Sequence, residues 1–255
     1  MNVTELHRKL SEFYPKSLSC AWDNDGIMIT PDMSREVKHV LVSLDATSAV
    51  LEYAALNGFD TVVTHHPMIF KGVKSVTEES SGGRRILLSA LNGISVISLH
   101  TRLDAADGGV NDALCEALGY RPIEKFGDSE APELGRIIET EEMTALDFAR
   151  LVKEKLGCDA VRLNGNPETV ITRAAVCGGD GKDFVYPALN SGCGVFLTGD
   201  AGYNMAGDAS EDGLVTIEAG HWHTEAPVCR ILSAKITEIC DAEVEIYNSC
   251  TYTVI

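Results

Sequence analysis

No apolar run in the chain approaches the roughly 18 residues that a membrane-crossing helix needs, so a spanning segment is not expected anywhere in its 255 residues. The opening stretch MNVTELHRKLSEFYP mixes charge into an amphipathic pattern and lacks the apolar centre of a secretory signal. Both absences point to the cytoplasm and away from a membrane. Positive charge is scarce as well: 21 Lys and Arg stand against 38 Asp and Glu, a formal net charge of −17. Such a field repels phosphate backbones and argues against nucleic-acid binding by a broad basic surface, while suiting a protein that holds cations. A CxxC pair is also missing. The eight cysteines, Cys20, Cys115, Cys158, Cys177, Cys193, Cys229, Cys240 and Cys250, are scattered, which removes thioredoxin-type and zinc-ribbon spacing. With no signal peptide to support an oxidised framework, they read as reduced and mostly buried.

What is present has the balance of a globular protein, 45% hydrophobic and 23% charged, and length enough for one large or two small domains. Leu6, Leu10 and Phe13 fall at helical spacing before Tyr14-Pro15 stops the helix. A strand over 37–44, a helix over 48–57 closed by Gly58, and a strand over 61–64 make a β-α-β unit that runs into His65-His66-Pro67. A further helix over 85–92 and a strand over 94–99 run into His100-Thr101-Arg102-Leu103-Asp104. In open α/β sheets ligands gather beyond the carboxyl ends of the strands, which is where both histidine stretches fall.

The polar stretch GDSEAPE, 127–133, is the best linker candidate. Beyond it come a helix over 145–156 and a strand over 174–177 that opens onto Gly178-Gly179-Asp180-Gly181. That glycine cluster lacks the Lys-Ser/Thr of a P-loop, and a plain tight turn is the stronger reading. An internal echo links Tyr53-Ala54-Ala55-Leu56-Asn57 with Tyr186-Pro187-Ala188-Leu189-Asn190, each followed by a strand, so that His65-His66 aligns with Gly199-Asp200. The expectation is an α/β fold of two similar three-layer domains, an internal pseudo-repeat. The first comprises 1–126 plus roughly 215–255 and binds metal; the second spans 127–214.

Five of the seven histidines cluster in three short motifs. These are His65-His66, His100 with Asp104, and the stretch Gly220-His221-Trp222-His223-Thr224-Glu225. Taken alone, the last is a metal site, an acid/base pair or a helix start, and H-x-x-x-E is a common helical pair. If a helix begins at Gly220, His221 and Glu225 share one face. Imidazole with carboxylate suits zinc, iron, manganese or nickel better than magnesium alone. His65, His66, Asp104, His221 and Glu225 are one donor too many for a four-coordinate structural site. They fit two ions if Glu225 bridges and water or hydroxide completes the shells, an arrangement that holds metals roughly 3.5–4 Å apart and generates hydroxide near neutral pH. His100 and His223 read better as groups that support the ligands or shuttle a proton.

The stretches WDNDGIMI, THHPMIF, HTRLDAADGGVND, LTGD and GHWHTE, in this order from Trp22 to Glu225, resemble the signature motifs of the Nif-three-like proteins. These are also called dinuclear metal centre hexameric proteins and often carry the label GTP cyclohydrolase I type 2 homologue. The resemblance implies a two-domain α/β fold in its short form, a toroidal homohexamer, and a dinuclear centre facing an interior cavity. It places the metal ligands on His65, His66, Asp104, His221 and Glu225, with Glu225 between two divalent ions per subunit. Three positions depart from the pattern: Arg102 stands where Asn is usual, Trp222-His223 replaces a Tyr-containing pair, and the terminal NSCTYTVI lacks a Pro-Phe-like tail. Arg102 and His223 are thus expected to alter the pocket's charge. The leading functional expectation is a metal-dependent hydrolase of a small-molecule substrate, acting through a metal-bridging water or hydroxide. The alternative is a non-enzymatic metal-binding or regulatory hexamer that engages partner proteins.

Overall fold

The computed structural model describes residues 1–131, 133–248 and 250–255. The chain opens with α1 (Val3–Phe13), where the Asn2 side chain accepts from the Glu5 N–H at 3.0 Å and Glu5 accepts from the Asn2 N–H at 2.9 Å. This reciprocal cap satisfies two donors that the first turn would otherwise leave open. There follow β1 (Gly26–Ile29), β2 (His39–Ser43), α2 (Ser48–Leu56), β3 (Thr61–Thr64), α3 (Ser81–Leu91), β4 (Ser95–Ser98) and α4 (His100–Ala105). Helix α3 starts four residues before the point that hydrophobic spacing indicates, because the Ser80 hydroxyl accepts from the Gly83 N–H and caps a polar first turn.

Next come α5 (Val110–Leu118), β5 (Pro122–Phe126), β6 (Gly135–Thr144), α6 (Ala145–Leu156), β7 (Arg162–Asn164) and β8 (Val170–Asp180). They are followed by α7 (Val185–Asn190), β9 (Val195–Asp200), α8 (Tyr203–Glu211), β10 (Val215–Glu218) and α9 (His221–Glu225). The chain then continues through α10 (Val228–Ile239) to β11 (Glu243–Ile246).

Two compact units result: Met1–Ala106 with Cys229–Ser249, and Asp107–Val228 with Cys250–Ile255. The first holds a five-stranded sheet in the order β1-β4-β3-β2-β11, in which β4, β3, β2 and β11 run parallel and β1 is antiparallel to β4. Leu41, Val62 and Val96 on its central strands pack with Val50, Leu51 and Ala54 of α2. The intervening Val40, Val42, Val63 and Ile97 are also fully buried, as strands covered on both faces require.

The second unit holds a six-stranded sheet in the order β5-β6-β8-β9-β10-β7, with β8, β9 and β10 parallel. Alternation along its strands feeds two cores. Ala174, Val176 and Leu197 pack with Leu114 and Leu118 of α5 and Phe148 and Val152 of α6. Ala175, Cys177 and Phe196 pack with Val185 and Ala188 of α7 and Ala206 and Ala209 of α8. Seven of the eight cysteines are buried, Cys250 being exposed. Among the described residues no helix is long and apolar enough to cross a membrane.

The boundaries differ from the sequence expectation. The first break falls at 106/107 and not at 126/127, because β5 pairs antiparallel with β6 and α5 packs on that same sheet. The stretch 127–133 therefore joins two neighbouring strands of one sheet instead of linking domains; its Pro132 lies outside the described residues. Residues 215–228 also belong with the second sheet, since β10 pairs with β9 and β7. Nor is Gly178-Gly179 a tight turn: both residues continue β8.

Candidate metal site

In the first unit, β2, β3 and β4 are adjacent and parallel, and the chain leaves their carboxyl ends through Leu44-Asp45, His65-His66 and Leu99-His100. Three neighbouring strand ends thus deliver one carboxylate and three imidazoles to one edge. The loop after β3 is pinned by the Thr64 hydroxyl, which donates to the His66 carbonyl at 2.8 Å, and by the His66 N–H, which donates to the Leu44 carbonyl at 2.9 Å. His65, His66 and His100 each offer a ligand atom, all within 4.8 Å of one another. Asp104, four residues after His100 on α4, brings Oδ1 to 3.5 Å from His65 Nε2. His65 and Asp104 are both buried.

Two of these imidazoles are backed by carboxylates. His66 Nδ1 lies 2.9 Å from Asp45 Oδ1, and His100 Nδ1 lies 2.7 Å from Asp23 Oδ1. With Nδ1–H donated to a carboxylate, Nε2 is left as the basic atom, the usual way a protein fixes a metal-binding tautomer. Burial works against ionisation of Asp23, but hydrogen bonds from His100 and Thr101 outweigh it and hold its carboxyl well below the usual range.

The second unit repeats this chemistry at the ends of β8, β9 and β10. His221 and Glu225 lie on one face of α9, with Nε2 3.2 Å from Oε2. The other ring nitrogen of His221 is 2.9 Å from Asp200 Oδ2, at the end of β9. Hydrogen bonds to Asp200 and then Glu225 raise the His221 pKa to about 10, against the effect of burial. Gly179 explains why β8 carries glycine here: a Cβ at this position, with φ at +69°, would collide with the Glu225 carboxylate and reach 3.3 Å from His221 Nε2. The Gly179 N–H donates to the Thr224 hydroxyl at 3.0 Å, which ties α9 to the strand.

The donor chemistry fits a divalent ion. A tetrahedral ion with bonds of ~2.0–2.1 Å separates its ligand atoms by roughly 3.3 Å. The two imidazole–carboxylate separations, 3.5 Å in the first unit and 3.2 Å in the second, bracket that value.

The remaining motif residues have other surroundings. Arg102 does not charge a pocket; its fully buried guanidinium pairs with Asp25 and donates to the Tyr14 carbonyl and the Ser11 hydroxyl within the first unit. His223 packs edge-on against Trp222 and sits 3.3 Å from the Tyr252 hydroxyl, and burial lowers its pKa from the ordinary value. Asp23, Asp45 and Asp200 are further candidate positions, and none of them has a histidine beside it in the sequence. Asp45 and Asp200 do follow apolar strands directly, which is the signal that marks them.

Each α/β unit thus gathers carboxylate-backed imidazole and a neighbouring carboxylate beyond its parallel strands, a donor set of the kind that suits a divalent ion. A family model described as Duf34/NIF3 (NGG1p interacting factor 3) matches residues 1–254, and the chain belongs to that family. It is 34% identical over 250 residues to a GTP cyclohydrolase 1 type 2 homolog of Clostridium perfringens, covering 96% of this chain and 95% of the relative. It is 31% identical to the Protein NIF3 homolog of Schizosaccharomyces pombe, covering 87% and 84%. Among solved structures, Staphylococcus aureus protein SA1388 superposes with a TM-score of 0.92 at 28% identity, covering 100% of this chain and 99% of that one. Reduced HcgD from Methanocaldococcus jannaschii does so with a TM-score of 0.83 at 25% identity, covering 96% and 97%.

Proposed function

We propose that this protein is a dinuclear metal-dependent hydrolase acting on a small molecule, with His65, His66, Asp104, His221 and Glu225 as ligands to two divalent ions and Glu225 shared between them. The observation that carries the reading is the repeated imidazole–carboxylate donor pair, each unit supplying one at the carboxyl ends of its parallel strands and backing its histidines with further carboxylates. Zinc, iron, manganese and nickel all suit these donors. A homohexameric assembly and two halves of common origin are part of the same proposal, and the relatives' name, GTP cyclohydrolase 1 type 2 homolog, agrees with a hydrolytic role.

When bound, such a metal pair supplies Lewis acidity to a substrate oxygen and acidifies water toward neutrality. The chain's own residues do the rest. Asp45 and Asp200 hold His66 and His221 at Nδ1, and the proton that Asp200 and Glu225 favour on the His221 ring would be displaced by an ion bound there. Buried Asp104 and Glu225 supply negative charge that does not have to be recruited from solvent. His100, held at Nδ1 by an ionised Asp23, is placed to take or return a proton at Nε2.

The test is metal analysis of protein purified without added metal, followed by a hydrolase substrate panel on wild type and Glu225→Gln. Wild type should carry about two ions per chain, and Glu225→Gln should lose metal and turnover together. Metal content well below one per chain, unchanged in Glu225→Gln, sinks the dinuclear reading. Full metal with no turnover across the panel returns the protein to a metal-binding or regulatory role.

A further inference from the structure

A pocket of about 240 Å³ opens in the second unit beside Asp200, walled on one side by the C-terminal segment through Tyr252 and Val254. Its construction is specific. The Tyr252 hydroxyl lies 3.3 Å from His223 Nδ1, and the two rings meet at 60°. Gly220 makes that approach feasible, since a Cβ there would collide with the Tyr252 hydroxyl. The pocket also contains Glu218, whose side chain is only 3% exposed and whose oxygens are engaged by the Ala201 N–H at 2.9 Å, by Asn164 at 3.3 Å and by Arg162 Nε at 3.2 Å. Glu218 is therefore an anchor that aims the Arg162 guanidinium, itself more than half exposed, at the pocket mouth.

Size and charge restrict what fits. Sites for drug-sized ligands span ~300–1,000 Å³, and this one is smaller. Its volume is on the scale of a single small ring system. Arg162 is outnumbered by Asp200 and Glu218, so the lining offers no positive field to draw in phosphate. The aromatic wall and the planar guanidinium are suited to a flat, neutral ring that both packs against π surfaces and accepts hydrogen bonds.

We propose that this pocket binds one uncharged heterocyclic ring of nucleobase size, packed against the Tyr252–His223 wall and hydrogen-bonded by Arg162, and that it selects the ring of the substrate. The selection of substrate rests on the hydrolase reading above; the binding of the ring does not. Asp200 connects the two, because it lines the pocket and also holds His221.

Calorimetric titration of the full-length protein with hypoxanthine, adenine and uracil tests this, with GTP as the phosphate-bearing control. At least one base should bind saturably below millimolar concentration, and GTP should bind no more tightly than that base. Tyr252→Ala and Arg162→Met change exposed side chains and should each weaken base binding by about tenfold, the scale of one aromatic or planar contact, with an unchanged circular dichroism spectrum. Absence of saturable binding, or binding unaltered in both variants, overturns the proposal. Metal content of the same samples separates the two readings. Base binding without metal keeps the pocket and removes the hydrolase, whereas full metal occupancy with no base binding does the reverse.

Discussion

At the scale of the residue, the chemistry of this protein lies in carboxylates that act on other side chains. Asp25 is one of them. Burial opposes its ionisation, yet hydrogen bonds from Arg102, Lys16 and Ser19 prevail and hold its pKa below the usual value. A depressed folded-state pKa stabilises the fold above the unfolded value near ~3.9, and that contribution disappears as pH falls through the lower folded value. Asp25→Asn should therefore cost about 3–5 kcal/mol at neutral pH, because it strips the buried Arg102 of a partner, and should flatten the acid limb of the stability profile. Urea melts from pH 3 to 7 measure both. Asp45→Asn and Asp200→Asn act on function instead. Each should weaken metal binding by about 10–100-fold with little loss of stability, read by competition with a chromophoric chelator. The candidate ligands stand out in the sequence because histidine is rare and clusters; the carboxylates behind them stand out less, since Asp23 and Asp45 lie in different sequence segments from His100 and His66 and meet them only after folding.

At the scale of the element, two glycines of β8 and α8 make opposite predictions. Gly179→Ala drives a methyl into the Glu225 carboxylate at a positive φ, so it should displace α9 and lower metal content more than its effect on thermal stability suggests. Gly207 lies exposed inside α8 with open space around it, so Gly207→Ala should stabilise the unit by about 0.5–1 kcal/mol without touching metal content. Paired thermal melts and metal analysis separate the two outcomes. Most elements of the parallel sheets were readable, because their strands are short apolar runs bounded by Gly and Asn. The glycine cluster was not: strand and turn use the same residues, and the deciding fact is a helix from 45 residues away pressing on the strand.

At the scale of the whole molecule, the proposed hexamer has a direct measurement. Sedimentation should give a species about six times the 27.4 kDa of the chain, and a monomer or dimer at micromolar concentration sinks that part of the proposal. Chelation provides the other. Ions held by the folded state and not by the unfolded chain stabilise it by about 2.7 kcal/mol when free metal is a hundredfold above its dissociation constant. Chelator treatment should accordingly lower the melting temperature, and readdition of zinc or manganese should restore it.

Sequence by itself determined the α/β class of fold, the lack of any apolar run long enough for a membrane-crossing helix, the scarcity of positive charge and a short list of candidate imidazole and carboxylate ligands. These follow from composition and local periodicity, which act over a few residues. Tertiary structure decided the unit boundaries, the burial of Arg102 in an ion pair, the carboxylates behind each imidazole, and the pocket that brings His223 and Tyr252 together. All of these depend on contacts between residues far apart in the chain, and only the packed sheets and helices bring such residues within hydrogen-bonding distance.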